Sequence, residues 1–186
     1  MKEHNMNWQG FEIDKSWTLF LDRDGVINKN IEGGYVLSKN MYQWLNGSRE
    51  AISKLTKIFG RIIIVTNQQG IGKGLMSEQD LIDIHTYMTT EIEMQGGRID
   101  AIYHSPHLNS QNHEWRKPGT GMLLKAQEDF PEINFNKSIM IGDSVRDMEM
   151  AHRVRMKKVW IGEQPPTQFE VDASHSSLIN FSNSIS

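Results

Sequence analysis

Cysteine is absent from the 186 residues, which excludes disulfides, thiolate metal sites and a cysteine nucleophile. Long apolar runs are absent too. The longest, Ile62 to Val65, falls far short of the ~20 residues that span a bilayer, so no membrane partner is expected. Positive charge is not in excess: 20 Lys and Arg against 23 Asp and Glu leave a net charge of -3. No global basic field therefore draws in nucleic acid. The first sixteen residues hold Glu3, Glu12 and Asp14 among few apolar side chains, unlike a secretory signal. What remains is an ordinary globular composition, 38% hydrophobic and 23% charged. It suits one domain over 1–186, with its core at about 17–162, and the expectation is a cytoplasmic monomer acting on a small molecule.

Five short apolar runs read as buried strands: Thr18 to Asp22, Arg61 to Thr66, Ile99 to His104, Ser138 to Gly142 and Lys157 to Gly162. Amphipathic segments lie between most of them. One has Ile52, Leu55 and Phe59 on its apolar face. A second starts at Ser77, with Asp80 three residues on as in a capping box, runs through Leu81, Ile84, Met88 and Ile92, and stops at Gly96 and Gly97. A third carries Met122, Leu123, Ala126 and Phe130 and ends before Pro131, and a short fourth begins near Asp147. This alternation predicts an α/β fold with a parallel sheet between layers of helices. The ends predict an edge strand around Trp8 to Ile13 and a short docking helix at Leu178, Ile179 and Phe181.

Four segments carry chemistry. Strand one delivers Asp22 and Asp24, spaced by one residue, into a turn at Gly25. In open α/β sheets ligands sit beyond the carboxyl ends of the strands, so both acids are aimed at the usual crevice. A solvated Asp-Gly turn is the plain alternative; a calcium loop is disfavoured because no bidentate Glu follows at the needed spacing. Strand four ends in Asp143, and Asp147 follows at a helix start, where capping alone would explain it. Were strands one and four neighbours, about 4.8 Å apart, Asp22 and Asp143 could share one cation, and Mg²⁺ suits so sparse an oxygen set. Strand two ends in Thr66, Asn67 and Gln68, a hydroxyl and amides able to donate to phosphate or to make ordinary turn contacts. Arg116 and Lys117 precede Pro118 and offer fixed positive charge, though most such pairs are merely solvated. Gly70 to Gly74 imitates a nucleotide-binding loop but lacks its first glycine and its final Ser or Thr, so a flexible turn is expected there.

Together these segments resemble the haloacid dehalogenase superfamily. Asp22-Arg23-Asp24-Gly25-Val26-Ile27, Gly34-Tyr35-Val36, Thr66-Asn67-Gln68 and Arg116-Lys117-Pro118 look like one branch, that of histidinol-phosphate phosphatases and D-glycero-D-manno-heptose 1,7-bisphosphate phosphatases. The resemblance implies a three-layer Rossmann-like sandwich with sheet order 3-2-1-4-5 and no large cap domain, the site being roofed by loops 28–37 and 104–116. It also implies a Mg²⁺-dependent phosphatase. Asp22 is then the nucleophile that becomes an aspartyl phosphate, and Asp24 the general acid and base. Thr66, Asn67 and Lys117 bind the phosphoryl group and Arg116 reaches the substrate. Asp22, the Asp24 backbone carbonyl and Asp143 hold the metal, with Asp147 acting through water. The branch's zinc loop has lost its three cysteines: Ser105, His113 and Trp115 stand there beside His104 and His107, so zinc is not expected. Heptose bisphosphate ranks first as substrate and histidinol phosphate second, with Glu32 and Glu114 available to attract the latter's cation. A polynucleotide 3′-phosphatase and a non-catalytic phosphate- or metal-binding module are the remaining alternatives.

Overall fold

A computed structural model describes residues 6–8, 10–168 and 170–185. The described residues form eight strands and six α-helices. They are β1 (Met6–Trp8), β2 (Phe11–Ile13), β3 (Thr18–Leu21), α1 (Ser48–Ile58), β4 (Arg61–Asn67), α2 (Gln69–Gly72), α3 (Glu78–Met94), β5 (Ala101–Ser105), α4 (Gly121–Asp129), β6 (Ser138–Gly142), α5 (Val145–Arg153), β7 (Lys157–Ile161), β8 (Ala173–His175) and α6 (Leu178–Ser184). Six strands form one parallel sheet in the order β5-β4-β3-β6-β7-β8. Its first five are the expected strands in the expected 3-2-1-4-5 order.

The apolar strands are buried on both faces, and their side chains alternate between two cores. Leu19, Leu21, Ile62, Ile64, Ile139 and Ile141 face one way, onto Ile52 and Leu55 of α1, Leu81, Ile84 and Met88 of α3, and Leu178 and Phe181 of α6. Phe20, Ile63, Val65 and Met140 face the other way, onto Met122, Leu123 and Ala126 of α4 and Met150 and Ala151 of α5. Ser77 caps α3 as anticipated: its hydroxyl accepts from the Asp80 amide at 3.1 Å while the Asp80 carboxylate accepts from the Ser77 amide at 2.8 Å. Gly96, at φ +76°, ends that helix.

Three expectations need correcting. Residues around Trp8 to Ile13 do not edge the main sheet. β1 and β2 pair with each other as an antiparallel hairpin, which docks through Trp8, edge-on to Phe181 at 6.0 Å. The supposed flexible turn at Gly70 to Gly74 opens with the helical turn α2 and only then bends at Gly74, φ +68°. The sheet also gains β8, whose Ala-Ser-His sequence carries no apolar signal; it pairs in parallel with β7 through Trp160 and Ser174. The docking helix at Leu178 to Phe181 is present as α6. Among the described residues no helix is long and apolar enough to cross a membrane.

Candidate active site

Leu21, the last residue of β3, pairs with Ile64 of β4 and Ile141 of β6. Asp22, Thr66 and Asp143 follow within two residues of that level, so the sheet register gathers them. They line a cavity of about 390 Å³ with Asp24, Asn67, Arg116 and Lys117. Loop 28–37 contributes Asn30, Ile31, Gly34, Tyr35 and Val36, and loop 104–116 contributes Asn109. Both expected roof loops are therefore in place.

Lys117 is the centre of the polar floor. Its ammonium lies 2.8 Å from Asp22 Oδ1 and 2.6 Å from Asp147 Oδ1, and donates to the Val65 carbonyl at 3.1 Å. An ammonium has three hydrogens, so all are engaged. Asp22, Asp143 and Asp147 bring carboxylate oxygens within 4.8 Å of one another. Three carboxylates around one ammonium leave an excess of negative charge. Burial, only partly opposed by Lys117 and reinforced by Asp147 and Asp143, pushes the Asp22 carboxyl up to about 8. Burial and then Asp147 push Asp143 up to about 6. Burial alone would depress the Lys117 ammonium, but Asp147 and Asp22 reverse this and hold it above its ordinary value.

Asp143 accepts no side-chain hydrogen bond from another described residue. Its carboxylate lies directly over Gly25: a Cβ there would come within 1.8 Å of Asp143 Oδ2, and φ is +88°. Position 25 thus excludes any side chain twice over. Asp147 is fully buried. Its Oδ2 accepts from the Ser144 amide at 3.1 Å and hydroxyl at 2.6 Å, fixing the start of α5. It serves both the helix start and the lysine.

The two acids of the first motif have different surroundings. Asp22 Oδ1 also accepts from the Arg23 amide at 2.7 Å, while Oδ2 has no such partner among the described residues. Burial alone would raise Asp24, but Arg23, Asn28 and Gln68 donate to it and hold it below the usual carboxylate range. Thr66 is buried, and its hydroxyl oxygen accepts from Gln68 Nε2 at 2.9 Å. Asn67 lines the cavity as well. Its amide pairs with the Lys117 backbone in both directions, at 3.0 and 3.2 Å, so it fixes the Arg-Lys segment from across the pocket. Arg116 is buried and its Nη1 donates to the His107 carbonyl at 3.1 Å. The exposed Arg146 also lines the cavity and lowers Arg116, after burial, by repulsion.

In loop 104–116, His104 pairs with Glu78 at 2.9 Å, while His107 and His113 stack with centroids 3.5 Å apart. Trp115 packs onto the second core. Among the described residues the only cluster of three or more potential metal ligands is the aspartate trio.

Sequence reasoning passed over Asn28, His85 and Arg146 and gave the Arg23 side chain no role. The one available signal was Arg23 itself, a charge set between an apolar strand and an acid. Burial, followed by Arg23 and His104, pushes the His85 imidazole down to about 3.

The polynucleotide kinase 3 phosphatase family matches residues 18–175. D-glycero-alpha-D-manno-heptose-1,7-bisphosphate 7-phosphatase of Mycobacterium bovis is 42% identical over 138 residues, 74% of this chain and 73% of that protein. D-glycero-beta-D-manno-heptose-1,7-bisphosphate 7-phosphatase of Photorhabdus laumondii is 34% identical over 170 residues, covering 87% and 89%. The D,D-heptose 1,7-bisphosphate phosphatase of B. bronchiseptica, solved with magnesium and phosphate, superposes with a TM-score of 0.80 at 26% identity, over 90% of this chain and 96% of that one. The chain therefore belongs to the haloacid dehalogenase-like phosphatases, within the family that the polynucleotide kinase 3 phosphatases name and alongside the heptose bisphosphate phosphatases.

Proposed function

We propose that this chain is a Mg²⁺-dependent phosphatase that works through an aspartyl phosphate on Asp22, with D-glycero-D-manno-heptose 1,7-bisphosphate as its substrate. The observation that carries the reading is the buried floor, in which Asp22 lies against Lys117 and within reach of Asp143 and Asp147.

Asp22 Oδ1 is held by Lys117 and the Arg23 amide, which leaves Oδ2 to attack phosphorus. The ester P–O bond breaks as Asp24 gives the leaving oxygen a proton that its carboxylate has taken from the monoanionic phosphate ester on binding. Asp24, now a carboxylate, takes a proton from the water that attacks the aspartyl phosphate; the P–O bond to Asp22 breaks and phosphate leaves. Thr66 and Lys117 hold phosphoryl oxygens through both halves, and Asn67 keeps Lys117 in place. The surplus of carboxylates fits a hard divalent cation. Asp22, Asp143 and the Asp24 carbonyl would hold Mg²⁺, with Asp147 acting through water; when bound, the ion offsets the charge of nucleophile and phosphoryl group.

Linkage gives this metal reading a test that needs no turnover. Asp22 and Asp143 have folded-state values raised above the ordinary carboxyl value. Their protonated forms therefore favour the fold, and that stability is lost as pH rises through about 6 and about 8. Mg²⁺ binds the ionised forms. The rise in melting temperature on adding Mg²⁺ is expected to be small near pH 5 and to grow steadily toward about pH 9. A Mg²⁺ effect independent of pH would remove these carboxylates from the metal site.

For the substrate, Arg116 and Arg146 line the cavity, whereas Glu32 and Glu114 do not. This supports an anionic second group over the histidinol cation, and the names of the relatives point the same way. The net charge of -3 weighs against a polynucleotide. Arg146→Ala, at an exposed position, is expected to lower kcat/KM for the heptose 1,7-bisphosphate by roughly 10–100-fold, the scale of a lost charge-assisted hydrogen bond. The matching 7-monophosphate should lose little. Wild-type protein should also prefer the bisphosphate over histidinol phosphate and a 3′-phosphorylated oligonucleotide. Equal losses on both sugars would remove the second phosphate contact, and faster turnover of either competitor would replace the substrate.

A further inference from the structure

Arg23 lies inside the first motif, yet the chemistry above uses only its backbone. Its side chain is fully buried, and a guanidinium taken out of water costs several kcal/mol unless its surroundings compensate. Those surroundings converge on Asp24. Arg23 Nη2 donates to Asp24 Oδ1 and Oδ2, both at 2.9 Å, and lies 3.2 Å from Gln68 Oε1. Asn28 Nδ2 donates to Asp24 Oδ1 at 2.8 Å and Gln68 Nε2 to Oδ2 at 2.9 Å. Each oxygen of Asp24 thus faces two donors. On the far side, Arg23 Nη1 lies 3.2 Å from His85 Nε2 on α3. Arginine can only donate, so Nε2 is the acceptor and the ring proton sits on Nδ1. His85 is held by its helix, whose neighbouring Ile84 and Met88 are completely buried. A chain of contacts therefore runs from the core face of α3 through His85 and Arg23 to the carboxylate of a loop residue.

We propose that Arg23, braced by His85, is the positioning residue that aims the Asp24 carboxylate at the reacting oxygen. The proposal rests on the reading of Asp24 as acid and base. Asp24 sits on the loop after β3, and its torsions are otherwise fixed only by two neutral amides. The contact of Arg23 Nη2 with both Asp24 oxygens, while Nη1 is held by His85, supplies direction as well as charge. Losing the brace should therefore mimic loss of the acid and base group itself.

The test is stopped-flow kinetics with p-nitrophenyl phosphate, whose leaving group departs without a proton. Asp24→Asn is the reference: a burst of about one p-nitrophenolate per chain, then turnover slowed roughly 10²-fold or more as the aspartyl phosphate waits for its base. Arg23→Met is expected to reproduce that burst, and to slow the first turnover of an alkyl phosphate by a similar factor of roughly 10². His85→Leu, at a partly exposed position, should show a smaller version, and His85→Gln should restore turnover because an amide oxygen can accept from Nη1. If Arg23→Met fails to fold, the two His85 variants decide. Absence of a burst in both Arg23→Met and His85→Leu, against a clear one in Asp24→Asn, overturns the brace and leaves the role of Asp24 standing. Absence of a burst in Asp24→Asn removes that role, and the brace with it.

Discussion

Asp22→Asn is expected to fold normally and to lose phosphatase activity by roughly 10⁴–10⁶-fold, the scale on which an enzyme loses its nucleophile. The substitution keeps the shape of the side chain and most of its contacts. The amide oxygen can still accept from the Arg23 amide, where Oδ1 now accepts at 2.7 Å, and Lys117 keeps Asp147 at 2.6 Å as its counter-charge. One negative charge leaves a cluster that has too many. Melting temperature should therefore change by only a few degrees, since near-isosteric changes that leave no charge unpaired are mild. What the carboxamide cannot do is attack phosphorus. Rapid-quench labelling with radioactive substrate should capture phosphate covalently bound to wild-type protein and none on Asp22→Asn. A folded Asp22→Asn protein with near-normal turnover would falsify the covalent route.

The sequence revealed strands better than polar partnerships. Ile62 to Val65 and Leu19 to Leu21 are continuous apolar runs that only burial on both faces accommodates, and the strand-end acids pointed into the crevice for the same reason. β8 left no such trace, because Ala173-Ser174-His175 has neither alternation nor an apolar run and is held by pairing with β7. The hairpin of β1 and β2 was mistaken for an edge of the main sheet because pairing partners are not written in local periodicity. Asn67 illustrates a third limit. Its amide was legible as a donor at a strand end, but its partner, the Lys117 backbone, lies fifty residues further on. The same distance hid the brace on Asp24, which needs β3, the end of β4 and α3 to meet before Arg23 acquires its surroundings.

Lys117→Met should do the reverse of the nucleophile substitution and damage the fold as well as the chemistry. Lys117 is 3% exposed. Methionine fills a similar volume but leaves Asp22 and Asp147 facing each other without a cation, and the Val65 carbonyl without its side-chain donor. Breaking a buried ion pair from one side typically costs about 3–5 kcal/mol. At this chain length that corresponds to roughly 6–20 °C in melting temperature. The loss should shrink on acidification, because the orphaned Asp22 carboxylate can then take up a proton in the fold. The sign follows from linkage: the ammonium opposes the upward push on Asp22, so removing it raises the folded value of Asp22 further, and stability falls as pH rises through the range where Asp22 ionises. Mg²⁺ should recover part of the lost stability near neutral pH, since a cation at the same cluster answers the same excess of charge. Activity should stay several orders of magnitude down even with Mg²⁺ at saturation, because the phosphoryl group then meets the floor without its ammonium. The measurement is calorimetric melting of wild type and Lys117→Met from about pH 5 to about pH 9, with and without Mg²⁺. A stability loss that is absent, or that grows toward acid pH, would show that Lys117 does not hold these carboxylates together.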